Sequence, residues 1–472
     1  MSKHIAIIGG GPAGYVAASH AAALGARVSL IDPTPLGGTC LHRGCIPTKA
    51  LVEACALLEK MRHAEAWGLR VDGPVGFDWS ALRVRSDRTV ELLRRGVEGL
   101  MADRSVTHIK GYGRVVDGHA VDVDDVGRIA ADAVLVCTGS SPILPEGFRV
   151  DGGRVGSSDD LLQWDTLPRS LLIVGDGVVA CEFAFIMQVL GVAVTVVAMS
   201  DRPLPFLDRD IAVVVQREMR RRGIEFIGGS AVERLASTAA GVAAWTDGRM
   251  VAEAERALVA IGRRPNTRGL GLESAGVLLG VRGEIVVDDL MRAGPHGLYA
   301  AGDVNGRLAL AHAASAQARL AVDHILDEDP MPLDDQAIPW AVFTLPEIGC
   351  VGLSEDAAIA AGHAVNCGRF DLRGLGKAQA MGALTGLAKV VADRVTGRLL
   401  GVHLIGAHAS DMVHEAAVLI RQGATAHAIA QTVHAHPTLS EALMEAAEDA
   451  LGQATHKTLK QTRRTTHVSP IP

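Results

Sequence analysis

The sequence predicts an α/β protein built from two copies of one strand-turn-helix-strand unit and a separate C-terminal α/β domain. Three observations carry this reading. The segment Ile5–Asp32 (IAIIGGGPAGYVAASHAAALGARVSLID) recurs at Leu171–Ala198 (LLIVGDGVVACEFAFIMQVLGVAVTVVA), with Gly9 and Gly175, Gly11 and Gly177, and Gly25 and Gly191 each 166 positions apart. Residues 338–452 alternate strand-like runs, such as Leu387–Val391 and Leu399–Ile405, with a helical stretch at 410–422 but contain no further glycine motif. A content of 53 glycines, an alanine-rich texture and only 3% aromatic residues suit closely packed helix and sheet layers.

Each repeat places G-x-G-x-x-(G/A) between an apolar strand and a helix, the pattern of a Rossmann-like dinucleotide site. Gly9 and Gly175 make the tight turn, Gly11 and Gly177 let a pyrophosphate approach the backbone, and Gly14 and Ala180 must be small where helix meets strand. The phosphates then rest on the helix N-terminus. Asp32, 18 residues after Gly14, is placed to accept hydrogen bonds from an adenosine ribose, as expected for FAD or NAD. Its counterpart in the second copy is Ala198, followed by Met199, Ser200, Asp201 and Arg202, so that site has neither the usual NAD acid nor a basic NADP cluster. NAD is the expected second cofactor, with NADP still open.

A chain of 472 residues suits about three domains. Its net charge of −7 argues against a general nucleic-acid binder. Met-Ser-Lys-His runs straight into the first strand, and no apolar stretch reaches the ~18–20 residues a membrane span needs. The reading is of a soluble cytoplasmic protein. Seven cysteines, at 40, 45, 55, 137, 181, 350 and 367, do not form a secreted disulfide framework, and no Cys/His cluster has zinc spacing, so no metal is expected.

Cys40 and Cys45 stand apart from the other five. They lie in GGTCLHRGCIPTK, directly behind the first dinucleotide unit, where the next turn and helix start are expected. A helix N-terminus favours the thiolate, the attacking species in thiol-disulfide exchange. An ideal helix would set residues five positions apart on different faces, so bringing these sulfurs together requires a distortion. Positioned so, they read as a dithiol next to the cofactor. His42 and Arg43 between them add positive charge.

With these motifs in place the chain resembles the flavin-dependent pyridine nucleotide–disulfide oxidoreductases, in uninterrupted order over about residues 4–452. The resemblance rests on Gly9–Gly14, the Cys40/Cys45 motif, Cys-Thr-Gly at 137–139, the second glycine motif at 175–180, Ile-Gly-Arg-Arg-Pro-Asn at 261–266, Tyr-Ala-Ala-Gly-Asp at 299–303, and His-Ala-His-Pro-Thr-Leu-Ser-Glu at 434–441. It implies FAD contacts from Thr39, Gly113, Thr138, Gly139, Asp303, Leu310, Ala311 and His312, and includes Gly262 among the cofactor-binding positions. Lys49, one helical turn after Cys45, would point at the flavin, and Glu182 would pair with Lys49. The resemblance makes Cys40 the interchange thiol, Cys45 the flavin-side thiol, His436 the base and Glu441 the carboxylate that orients it, with a cis bond between His436 and Pro437. Histidine suits this role because its ordinary pKa, about 6.5, lies near neutrality. His434 reads as a packing or capping residue.

The lipoyl-oxidising members of the family are the nearest in motif. They imply oxidation of a dihydrolipoyl carrier by ping-pong exchange through the Cys40–Cys45 disulfide, and a homodimer in which His436 serves the other subunit. Glutathione-type reductases differ at the flanks of both motifs, and mercuric reductases carry a C-terminal cysteine pair where this chain has no Cys after 367. A non-catalytic scaffold in a lipoyl complex is the other class weighed. The implied domains are FAD-binding, 1–145; NAD(P)-binding, 146–268; a second FAD-binding or central part, 269–337; dimerisation, 338–452; and a polar, basic, disordered tail, 453–472.

Overall fold

A computed structural model of the chain describes residues 2–294 and 297–457. Most of the tail expected at 453–472 therefore lies outside the described residues. The chain divides into two compact units, residues 1–168 with 256–333 and residues 169–255 with 334–472.

The first unit is organised by five parallel strands, in the order Leu298–Ala300, Ala133–Val136, His4–Ile8, Arg27–Ile31, Thr107–Ile109. Its inner strands Ala133–Val136 and His4–Ile8 are buried on both faces because both are covered. Ile5, Ile7, Leu30 and Leu135 pack beneath the helices Pro12–Ala23 and Ala311–Ile325. Ala6, Ile8, Ile31 and Val134 pack with Val115 and Val121 of an antiparallel three-stranded sheet, Gly113–Asp117, Ala120–Val123 and Gly127–Ala130. The alanine-rich texture has its reason here: Ala13, Ala17, Ala21, Ala314, Ala318 and Ala321 are the small buried side chains of the two helices. Gly14 is demanded by the same packing, since a Cβ there would lie 1.7 Å from the Gly9 carbonyl oxygen.

In the second unit Ala193–Val197 is paired in parallel with both Ser170–Val174 and Glu225–Ile227. The helix Val178–Val189 is buried along most of its length, and Arg209–Arg221 is amphipathic. An antiparallel sheet follows, in the order Trp340–Val342, Ile348–Gly352, Leu399–Ile405, Leu387–Asp393, Val365–Asp371. The strand runs expected at 387–391 and 399–405 are its fourth and third members, and the helical stretch expected at 410–422 is Ala409–Arg421. Gly368 is small because a Cβ there would meet the Ala446 carbonyl oxygen at 1.9 Å, so the helix Glu441–Ala450 lies directly on the sheet.

One ionic cluster is buried in this unit. Lys389, 1% exposed, reaches Asp208 at 2.8 Å, Asp210 at 2.7 Å and Glu355 at 2.7 Å, while Arg369 holds Asp210 at 2.7 Å and Glu355 at 2.6 Å. It ties the N-terminus of the helix Arg209–Arg221, capped by Asp208, to two strands of the antiparallel sheet.

Candidate active site

The helix expected after the first repeat is broken, and the break brings the cysteines together. Gly38–Arg43 forms one short helix and Cys45–Arg62 the next, with Gly44 between them at φ −129°, ψ −106°. The chain doubles back so tightly that a Cβ on Gly44 would lie 3.1 Å from the Thr39 carbonyl oxygen and 3.5 Å from the Cys40 Cα. This is the distortion that five-residue spacing requires. The side chains of Cys40 and Cys45 meet in a hydrogen bond. That hydrogen bond, followed by burial and repulsion from Cys45, pushes the Cys40 pKa far up, against the pull of the Lys49 charge.

The pair sits against the first glycine loop. Gly37 donates to the Gly10 carbonyl at 2.8 Å, and a Cβ on Gly38 would come within 2.6 Å of the Gly11 Cα. Thr39 follows in the same short helix, and Lys49 lies one turn after Cys45. His42 is engaged with the Leu36 carbonyl at 2.9 Å and Arg43 with Asp159 at 3.3 Å, so both have partners within the fold.

Two glycines test whether a dinucleotide fits. Gly11 (φ −71°, ψ −171°) and Gly177 (φ −80°, ψ −172°) are N-caps in a backbone conformation that any residue adopts. A Cβ at Gly177 would meet nothing within 4 Å, and one at Gly11 only the Gly38 Cα at 3.8 Å. The chain itself therefore does not require glycine at either position, and the open space in front of each helix N-terminus suits a pyrophosphate. Gly9 and Gly175, by contrast, have φ of +105° and +131° and are required by the turn.

The remaining flavin-side candidates cluster at strand ends of the first unit. Asp32 Oδ2 accepts from Gly10 N–H at 2.5 Å, and its Oδ1 accepts from Thr34 N–H and Oγ1, both at 2.7 Å. Thr138 and Gly139 follow the strand Ala133–Val136 and are held by Asn266, which receives the Thr138 hydroxyl at 2.7 Å and donates to the Thr138 carbonyl at 2.9 Å. Asp303 follows the strand Leu298–Ala300 and accepts from Ser140 Oγ at 2.5 Å; Arg263, next to Gly262, donates in turn to Ser140 Oγ at 2.8 Å. Leu310, Ala311 and His312 form the N-terminus of the helix Ala311–Ile325. Gly113 opens its strand among Ile8, Ile31 and Val121, where a Cβ would crowd all three, so packing explains its size.

In the second unit His436 Nδ1 faces Glu441 Oε1 at 2.8 Å, and Glu441 Oε2 accepts from Thr438 N–H at 2.8 Å. The peptide bond between His436 and Pro437 is cis. Burial opposes the Glu441 charge, yet the hydrogen bonds from His436 and Thr438 hold its carboxyl below the usual range. The imidazole is 76% exposed and its other nitrogen points away from Glu441, the arrangement of a base with its orienting carboxylate. His434 is different: its ring nitrogens face the Thr432 carbonyl at 2.8 Å and Glu415 at 3.2 Å, and its side chain is 5% exposed.

Glu182 is buried on the helix Val178–Val189 and accepts from Phe343 N–H at 2.9 Å. Ala180 is fully buried and Ala198 nearly so, the latter bonded through its backbone to Ile227 and Ser230. Sequence reasoning missed Ser140 and Arg263 beside Asp303, and it missed Asp176 in the second glycine loop. The 166-residue offset, which pairs Asp176 with Gly10, was the signal that could have found the last.

Comparison with known proteins bears on this geometry. Residues 3–318 match the family described as pyridine nucleotide-disulphide oxidoreductase, and residues 338–447 match its dimerisation domain. A dihydrolipoyl dehydrogenase of Bacillus subtilis is 39% identical, covering 96% of this chain and 98% of its own. One from Chlamydia pneumoniae is 38% identical, covering 95% and 97%. Among solved structures, LpdA from Mycobacterium tuberculosis aligns with a TM-score of 0.89 at 33% identity, over 94% of this chain and 99% of that one. The HOCl-induced flavoprotein disulfide reductase RclA from Escherichia coli aligns with a TM-score of 0.85 at 28% identity, over 94% and 99%.

Proposed function

Since this chain belongs to the pyridine nucleotide–disulphide oxidoreductases, enzymes that use FAD and NAD, we propose that it oxidises dihydrolipoyl groups to lipoyl groups through Cys40 and Cys45. The observation that carries this is the Cys40–Cys45 thiol contact across the break at Gly44. Relatives bearing the dihydrolipoyl dehydrogenase name across nearly their full length support the substrate.

The chemistry follows from the residues. His436, oriented by Glu441, takes a proton from one dihydrolipoyl thiol, and the thiolate attacks Cys40 Sγ of the oxidised pair. The Cys40–Cys45 bond breaks, the electron pair passing to Cys45 Sγ, and a mixed disulfide joins Cys40 to the substrate. The second substrate thiol displaces Cys40, closing the lipoyl disulfide while its proton passes to Cys40. The pair is then reduced, with a proton on Cys40 and the negative charge on Cys45. FAD, when bound, supplies passage of the electron pair from the reduced cysteines to NAD as hydride.

Gly9, Gly11, Gly14, Asp32, Thr39, Thr138, Gly139, Asp303 and residues 310–312 would hold FAD, and Gly175, Gly177 and Ala180 the pyridine nucleotide. Lys49 is assigned to the flavin edge with Glu182 as its partner. The dimerisation domain supports a homodimer, in which His436 serves the dithiol of the other subunit. The carrier would be a lipoylated protein. Steady-state oxidation of free dihydrolipoamide, run in parallel with NAD and NADP, tests the assignment; no turnover with either overturns it.

A further inference from the structure

The second dinucleotide site lacks the strand-end acid, and the structure supplies a carboxylate at the same junction from the other side. The two repeats share more than motif. Ile8 pairs with Ile31 as Val174 pairs with Val197, and Gly9 N–H donates to the Ile31 carbonyl at 2.8 Å as Gly175 N–H does to Val197 at 2.9 Å. Asp32 N–H donates to Ile109 and Ala198 N–H to Ile227 in the same way. The 166-residue offset therefore holds bond by bond, and Gly10, Asp32 and Thr34 correspond to Asp176, Ala198 and Ser200.

In the first site Asp32 bridges the junction from the strand end, accepting from the backbone N–H of Gly10 and of Thr34. In the second, Asp176 bridges it from the glycine loop: its Oδ2 accepts from Ser200 N–H, the equivalent of Thr34 N–H, at 3.2 Å. The exchange is reciprocal. Where the loop carries Gly the strand end carries Asp, and where the loop carries Asp the strand end carries Ala. Acids at both positions would set two like charges in one junction. The segment after Ala198 is tied to the same loop residue, since Leu204 N–H donates to the Asp176 carbonyl at 2.8 Å.

We propose that Asp176 is the specificity-determining carboxylate of the pyridine nucleotide site, receiving the adenosine ribose hydroxyls in place of an acid at position 198. This rests on the reading that a pyridine nucleotide is the second cofactor, and it names the chain's own residue that selects it. Asp176 is half-buried at the loop surface, and among the described residues its Oδ1 has no hydrogen-bond donor, so a ribose 2′-hydroxyl can reach it. A 2′-phosphate would meet this carboxylate with like charge, while the nearby cation Arg202 donates to the Pro205 carbonyl at 3.3 Å.

The test is equilibrium binding of NAD⁺ and of NADP⁺ to the purified flavoprotein by titration calorimetry, in wild type, Asp176→Asn and the transplant Asp176→Gly/Ala198→Asp. Wild type is expected to prefer NAD⁺. Asp176→Asn should weaken NAD⁺ by about tenfold, the loss of one hydrogen bond to a charged group, and improve NADP⁺ relative to it. The transplant, which copies the first site, should restore the NAD⁺ preference. An unchanged NAD⁺/NADP⁺ ratio in Asp176→Asn, or a wild type that prefers NADP⁺, overturns the proposal. Bleaching of the wild-type flavin by dihydrolipoamide without nucleotide, followed separately, reports on the lipoyl assignment alone, so the two ideas fail by different results.

Discussion

Replacing Lys389 by methionine removes the central cation of the ionic cluster while keeping the volume of the side chain. Asp210 and Glu355 retain Arg369 at 2.7 and 2.6 Å, so the loss falls on Asp208, which is 1% exposed and keeps the backbone N–H groups of Asp210 and Glu355 at 3.0 and 3.1 Å with His403 beside it. Removing one partner of a buried ion pair costs about 3–5 kcal/mol, and the two remaining N–H donors put this case near the lower end, about 3 kcal/mol. For a unit of roughly 200 residues, at about 2–4 °C per kcal/mol, the melting temperature should fall by about 6–12 °C.

The pH dependence sharpens the test. In the wild type, burial works against the charges on Asp208 and Asp210, yet the charge interactions with His403 and then Lys389 hold Asp208 below the usual carboxylate range, and Lys389 followed by Arg369 does so for Asp210. Their contribution is complete above the unfolded pKa of about 3.9 and is lost as the pH falls through the depressed folded values. Lys389, raised despite its burial, contributes fully below its unfolded pKa of about 10.4 and loses that contribution as the pH rises through its folded value. Wild-type stability should therefore owe no slope to this cluster between about pH 5 and 9. In Lys389→Met the Asp208 carboxyl, buried without its cation, titrates upward and takes a proton on mild acidification, so the deficit should shrink from pH 7.5 to about pH 5. Scanning calorimetry of both proteins at the two pH values checks this. A drop below about 2 °C, or a deficit equal at both pH values, would refute the reasoning.

Further outcomes concern the site. Cys40→Ser and Cys45→Ser should each abolish dihydrolipoamide oxidation while leaving bound flavin in the absorbance spectrum. His436→Gln should lower kcat by about 10²–10⁴-fold, and Glu441→Gln by less, in steady-state assays near pH 7. Mixing Cys40→Ser with His436→Gln chains after reversible dissociation should recover about a quarter of wild-type activity, because half of the dimers are mixed and each has one intact site; no recovery would place both groups in one chain. Gly14→Ala should lower the melting temperature and flavin content, since its Cβ collides with the Gly9 carbonyl. Gly177→Ala should leave the melting temperature unchanged and weaken only pyridine nucleotide binding, measured by titration.

Much of this was legible in one dimension because the features involved are local. A glycine turn between strand and helix, an acid at a strand end, two cysteines at short spacing and a histidine five residues before a glutamate each declare their chemistry through neighbours in the chain. The internal repeat was legible for the same reason: a constant offset needs no structure to be seen. Even the break between the cysteine helices was required by the spacing, although its agent, Gly44, was not singled out.

What only the tertiary structure decided depends on contacts between distant residues. No local pattern says that Lys389 will be buried among Asp208, Asp210 and Glu355, whose separations of up to 181 residues are closed by the sheet and helix packing. Nor does spacing alone bring the two thiols together; the break at Gly44 and the fold around it set them in hydrogen-bonding contact. The sequence by itself determined two dinucleotide units, a dithiol and a histidine-glutamate pair, because turn geometry and helix periodicity act over a few residues. It left Ala198 as a missing acid. The fold decided that Asp176 approaches the same junction from the glycine loop, because a hydrogen bond to Ser200 is a matter of position in space and not of place in the chain.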